Sequence, residues 1–177
     1  MTKTSVATVW LDGCSGCHMS FLDIDERIIA LAEKIDLVYS PLVDNKVFPE
    51  HVDVCIVEGA VSNQDDLDKV RKIRQHTGVL IALGDCAVTG NVPSMRNFFT
   101  VEELNQRAYH ENATIQQQTP TEVIPPLLDQ VRPVHEVVKV DLHIPGCPPS
   151  ADTIYYALTE LLQGNMPELA TKTRFGA

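Results

Sequence analysis

Residues 4–11 form an apolar, β-branched run that reads as a strand and leads into an Asp12-Gly13 turn. Between residue 19 and about residue 34, apolar positions recur at Phe21, Leu22, Ile28, Ile29 and Leu31, the face of a helix. Residues 37–39 give a short second strand. Residues 52–57 give a third, whose nearly unbroken apolar run suits a parallel strand buried on both faces. Ser62 or Asn63 caps the helix that follows, with Asp65 and Asp66 in its first turn and Gly78 after its end. Residues 79–83 form the fourth strand and run into Gly84-Asp85-Cys86.

Residues 87–97 carry Gly and Pro without a period and read as a long functional loop. Thr100 and Glu103 are spaced as a capping box for a helix reaching about His110, and residues 113–119 are polar. Residues 134–144 form the fifth strand. Residues 151–162 form a last helix with Ile154, Ala157, Leu158, Leu161 and Leu162 on one face, stopped at Gly164. Strands alternating with helices predict an α/β fold: a parallel sheet of about five strands, flavodoxin-like and doubly wound, with helices on both faces.

Length and charge narrow the function. At 177 residues the chain is expected to form a single domain over residues 1–177, with a core that needs no disulfide staples. Its 14 Lys+Arg against 24 Asp+Glu give a formal net charge of −10, and such a chain repels phosphate backbones, so no nucleic-acid partner is expected. The first ten residues hold neither a secretory nor a twin-arginine pattern, and the longest apolar run, residues 79–83, is too short to span a bilayer. A cytoplasmic protein without a membrane is expected. Five cysteines in a reducing compartment then point to metal or redox chemistry rather than to disulfides.

Four of these cysteines follow strands. Cys14 and Cys17 come after the first, Cys86 after the fourth and Cys147 after the fifth. In an open parallel sheet these loops share the carboxyl edge, where such folds bind their ligands, so four distant sulfurs can converge. Four soft thiolates suit an iron–sulfur cluster or zinc. The surroundings fit a cluster: Gly13, Gly16, Gly84 and Gly146 let backbone N–H groups approach anionic sulfurs, and Pro148 and Pro149 stiffen the loop after Cys147. Ser150 opens the last helix with its positive end toward that charge. Cys55 sits inside Val54-Cys55-Ile56, reads as a small buried hydrophobe, and stays outside the site.

Taken together, Trp10-Leu11, Cys14-Ser15-Gly16-Cys17, Val57-Glu58-Gly59, Gly84-Asp85-Cys86-Ala87 and Pro145-Gly146-Cys147-Pro148-Pro149 resemble the small subunit of nickel-iron hydrogenases. The stretch 84–99, with Asn91-Val92-Pro93-Ser94-Met95-Arg96-Asn97, resembles the bidirectional NAD-reducing type in its short, one-cluster form. The resemblance implies that Cys14, Cys17, Cys86 and Cys147 bind a proximal 4Fe-4S cluster. It further implies partners: a large subunit with the nickel-iron site, and diaphorase iron–sulfur and flavin subunits that reduce NAD with their own FMN. FMN on this chain itself is suggested only by the fold. The complex I subunit that carries its terminal cluster is a cousin, but its first two cysteines are adjacent, whereas Ser15 and Gly16 separate them here.

Several residues keep two readings. Glu58 is either a proton relay or hydrogen-bond partner near the cluster, or a carboxylate bonded to loop N–H groups. His18 either replaces a thiolate or caps its helix's first turn. Arg96 and Asn97 contact the large subunit or fix their own loop. Asp85, beside a thiolate, has to turn outward or meet a cation. No G-x-G-x-x-G fingerprint or nucleophile–base pair is present, so the isolated chain is not expected to be catalytic. The rival readings are a complex I-like cluster subunit, a thioredoxin-like thiol oxidoreductase using Cys14 and Cys17, and a structural zinc protein.

Overall fold

The computed structural model describes residues 3–173; residues 1–2 and 174–177, and with them the ends of the domain expected over 1–177, lie outside it. Along the chain run β1 (Thr4–Trp10), α1 (Gly16–Leu22), α2 (Arg27–Ala32), β2 (Ile35–Tyr39), β3 (Val52–Glu58), β4 (Val61–Asn63) and α3 (Gln64–Gln75). Then come β5 (Thr77–Leu83), α4 (Gly84–Thr89), α5 (Asn91–Ser94), α6 (Val101–Asn105), β6 (Leu127–Arg132), β7 (Leu142–Ile144) and α7 (Ala151–Leu162).

The main sheet has the order β2-β1-β3-β5-β7 and is parallel throughout, the doubly wound flavodoxin-like order expected from the alternation of elements. Side chains alternate across it. Val6, Val54, Ile56, Ile81 and Leu83 pack under α1, α2 and α7 through Phe21, Ile24, Leu31, Ile154 and Leu158. Ala7, Val9, Cys55, Val57, Leu80 and Ala82 pack under α3 and α4 through Val70, Ile73, Ala87 and Val88. Helices therefore cover both faces, and each central strand reads as an apolar run because neither of its faces meets water.

Register is what matters for the site. Trp10 lies beside Glu58, Glu58 beside Leu83, and Leu83 beside Ile144. Four strands thus end level, and the loops that follow all open on one rim.

Three expectations need correction and a fourth needs refinement. The helix expected over residues 19–34 is two helices, because Asp25 turns left-handed at φ 60 and Ile24 drops into the core between them. A short polar side chain tolerates that conformation better than most. The loop expected over 87–97 is helical: α4, α5 and a 3-10 turn over Met95–Phe98, broken at Gly90 with φ 86. Each piece is too short to show a period. Gly78 does follow α3, which ends at Gln75, but it lies within β5, and the residue that caps the C-terminal end of the helix is His76. Of the strand expected over 134–144 only Leu142–Ile144 joins the sheet; upstream, β6 pairs antiparallel with β4 as a separate ribbon. Asn63 is the cap of α3, accepting from the Asp66 amide at 2.9 Å, and Thr100 with Glu103 forms the capping box of α6.

The β7 edge of the sheet is pinned by the ion pairs of Asp141 with Arg74 and Lys139. Arg74 donates to the carbonyls of Thr77, Gly78 and Lys139 and to the Asp141 carboxylate, which also accepts from the Leu80 amide at 2.9 Å. Burial pushes the Asp141 carboxyl up, but the Leu80 amide, Arg74 and Lys139 outweigh it and hold it below its ordinary value. A carboxylate depressed in the folded state stabilises above its unfolded pKa and loses that contribution as the pH falls through the folded one. Asp141→Ala, which leaves Arg74 and the Leu80 amide without this partner, is expected to cost about 2 kcal/mol. In urea titrations the gap from the parent is expected to be widest above about pH 4 and to close under acid.

Candidate metal centre

The loop after β1 folds back along the turn after β3. The Leu11 amide donates to the Glu58 carbonyl at 2.8 Å, and Asp12 and Ala60 exchange backbone hydrogen bonds of 3.1 and 2.7 Å. Gly59 makes this approach feasible: at φ 91, a Cβ there would stand 2.8 Å from the Leu11 carbonyl carbon. The chain then reverses at Ser15, φ 62, and enters α1. Cys14 is left on the exposed lip, its sulfur accepting from the Gly16 amide at 3.4 Å, and Cys17 is buried in the first turn of the helix.

Cys86 lies in the first turn of α4, three residues beyond Leu83, and is half-buried. The Cys17 sulfur sits over the bare Cα of Gly84, where a Cβ would be 2.2 Å away. Cys147, three residues beyond Ile144, is exposed, and Asn91 points its amide at the sulfur from 3.5 Å. The Cys86 and Cys147 loops are tied together by Asp85. Its amide donates to the Gly146 carbonyl at 2.9 Å, and its carboxylate accepts from the Gly146 amide at 2.7 Å. Asp85 turns inward, onto the loop backbone.

Electrostatics places all four thiols in one neighbourhood. Burial pushes the Cys17 thiol far up, and negative charge on Glu58, Cys86, Cys14 and Cys147 adds to it. Cys86 is pushed up to about 11 by burial, then by Cys147, Cys14, Glu58 and Asp12. Four thiolates this close repel one another, so their common ionisation requires a cation among them. Among the described residues no three His, Cys, Asp or Glu side chains are drawn together tightly enough for one metal ion. Four soft thiol donors that feel one another's charge, approached by glycines and amides, fit a polynuclear iron–sulfur group.

Of the remaining candidates, Glu58 lies buried behind Cys17. Its carboxylate accepts from the amides of His18 at 2.8 Å and Cys17 at 3.4 Å and from the His18 ring. The second ring nitrogen of His18 meets the Thr8 hydroxyl at 3.0 Å, so neither nitrogen is turned to the thiols. Arg96 donates to the carbonyls of Ser62 and Leu128, and Asn97 exchanges two hydrogen bonds with Val131. Both fix the β4–β6 ribbon beside the site. Cys55 is fully buried on the α3 side of the sheet, its thiol pushed up to about 12 by burial. Asn91, Thr8 and Ser40 were not singled out by sequence; the available signals were an Asn after Gly90 and a hydroxyl between Ala7 and Val9 in the apolar part of β1.

The residues 14–161 match the family described as NADH ubiquinone oxidoreductase, 20 Kd subunit. The chain is 42% identical over 167 residues to the delta subunit of the NAD-reducing hydrogenase HoxS of Cupriavidus necator, covering 92% of this chain and 80% of that one. It is 39% identical to one of the subunits of the F420-non-reducing hydrogenase vhu of Methanocaldococcus jannaschii, with 94% of this chain matched but only 59% of that relative's length spanned. A chain in the crystal structure of an NAD+-reducing nickel-iron hydrogenase in the H2-reduced state superposes with a TM-score of 0.94 at 39% identity, covering 98% of this chain and 99% of that one. A fold, a level rim of thiols and these likenesses agree: the chain belongs to the NADH ubiquinone oxidoreductase 20 Kd subunit family, and within it to the small subunits of NAD-reducing nickel-iron hydrogenases.

Proposed function

We propose that this chain is the electron-transfer small subunit of a cytoplasmic NAD-reducing nickel-iron hydrogenase, one domain that holds a single 4Fe-4S cluster on Cys14, Cys17, Cys86 and Cys147. The observation that carries the reading is the level ending of β1, β3, β5 and β7, which pools four thiols from three separate loops on one rim. When bound, such a cluster supplies a one-electron relay between the nickel-iron site of a large subunit and the diaphorase iron–sulfur and flavin subunits (H2 + NAD+ = H+ + NADH overall).

The chain's own residues bind and tune. Gly84 leaves room for the Cys17 sulfur, and Asp85 holds the Cys147 loop against the Cys86 helix. The Gly16 amide and the Asn91 side chain donate to the sulfurs of Cys14 and Cys147, and donors of that kind favour the more negative, reduced state. Trp10, Met19, Val92 and Met95, near the thiols in sequence, are exposed, and such apolar side chains suit a large partner subunit. FMN on this chain is suggested only by the fold, whose carboxyl-edge crevice is where such sheets bind ligands. Among the described residues no helix is long and apolar enough to cross a membrane.

Anaerobic purification of the tagged chain from its native host tests the reading. Nickel is expected to co-purify with a large partner, with broad visible absorption and about four iron atoms for this chain's cluster. Colourless protein with about one zinc per chain would replace the proposal by a structural zinc site. Metal-free protein with a reversible Cys14–Cys17 disulfide would replace it by a thiol oxidoreductase.

A further inference from the structure

We infer that His18 is a positioning residue: clamped between Thr8 and Glu58, it holds the Glu58 carboxylate against the turn that carries Cys17 and so sets the charge felt by the thiol quartet. The inference rests on the cluster reading and deepens it.

The observation is a continuous buried chain of hydrogen bonds that runs from Ser40 to the turn carrying Cys17. Ser40 meets Thr8 at 2.7 Å, Thr8 meets the His18 ring at 3.0 Å, and the ring's other nitrogen meets Glu58. Ser40 is anchored in turn by the Leu42 amide at 3.1 Å. Ser40, Thr8, His18 and Glu58 are 1%, 2%, 6% and 1% exposed, so none of them can exchange its protein partner for bulk water. A buried carboxylate without such partners is costly, and an imidazole held at both nitrogens has one ring orientation.

What Glu58 touches gives the clamp its consequence. Its two oxygens accept the Cys17 and His18 amides, the first turn of α1, so the carboxylate's position and Cys17's position are one variable. Its charge already reaches the sulfurs: Glu58 is the leading charge that pushes Cys17 up, after burial, and it also acts on Cys86. The His18 ring offsets part of that charge by hydrogen bonding. Removing the ring leaves the full negative charge beside the sulfurs, which disfavours the reduced, more negative state.

The test is a redox titration of this subunit's cluster in the whole complex, followed by electron paramagnetic resonance. His18→Leu removes both ring hydrogen bonds while keeping bulk. It is expected to retain parental iron and to shift the reduced-to-oxidised ratio at a fixed potential roughly tenfold toward oxidised, about 59 mV lower for one electron. His18→Asn, which keeps a donor near the Nδ1 position, is expected to recover most of the shift. Thr8→Val, which frees only the far nitrogen, is expected to move the ratio the same way by less. Parental midpoint and spectrum in His18→Leu would make His18 a packing residue and overturn the inference. Should that variant fail to fold, an unchanged midpoint in Thr8→Val would overturn it equally. A parental complex without iron on this subunit would instead sink the function proposed above, so the two failures are distinguishable.

Discussion

Cys147→Ala is expected to strip this subunit of its cluster and to lower hydrogen-linked NAD reduction more than about 100-fold. Loss of a residue merely supporting a ligand commonly costs 10- to 100-fold in metal affinity, and a ligand is worth more. Cys147 has no substitute nearby. The loop is held by Asp85 and Gly146 whatever stands at 147, so the variant keeps its backbone but offers three sulfurs where four are needed. The fifth cysteine cannot step in: Cys55 faces α3 from within β3, wholly buried among Val9, Val57, Leu80 and Ala82, on the side of the sheet away from Cys17 and α1. Cys55→Ala is accordingly expected to keep its iron and most of its activity, at a cost of about 1 kcal/mol for the small void. Iron per chain, visible absorption and the rate of NAD reduction check both variants. Equal losses from the two would refute the division of the cysteines into four ligands and one core residue.

The rim that carries the proposed site was legible in the sequence because parallel strands translate sequence into position. An apolar run followed by Gly or Asp and then Cys puts the thiol at the carboxyl edge, and three such junctions put the proposed quartet on one side of the sheet. The ribbon of β4 and β6 was not legible in the same way. Residues 61–63 are too short to show alternation, and residues 127–132 pair with them across more than sixty positions, a tertiary decision that Arg96 and Asn97 enforce by side-chain hydrogen bonds. The split between α1 and α2 escaped for a related reason: Ile24 continues the apolar count but is buried by a turn, not by a helical face. The partnership of Thr8, Ser40 and His18 joins residues from three elements, and only the sheet order brings β1 and the end of β2 beside α1.

Gly84→Ala is expected to cost the site at least tenfold in retained iron, and Gly164→Ala to cost it nothing, although the two glycines share one backbone conformation. Both have φ +81, so both substitutions incur the left-handed penalty of an L side chain, about 1–2 kcal/mol. Gly164 follows α7 as its terminating residue, and a methyl group there would meet nothing within 4 Å. Gly84 differs only in its neighbours: the new Cβ would stand 2.2 Å from the Cys17 sulfur and 3.4 Å from the Gly146 carbonyl oxygen. The methyl group cannot turn away, because the Cβ direction is set by a backbone that must deliver Cys86. The sulfur has to move, and its retreat is blocked by the core around Phe21, Leu83 and Ile144 that buries Cys17. Thermal unfolding is therefore expected to separate the variants modestly, and iron content to separate them sharply. Full iron in Gly84→Ala would mean that Cys17 reaches the quartet from somewhere other than the bare face of that glycine.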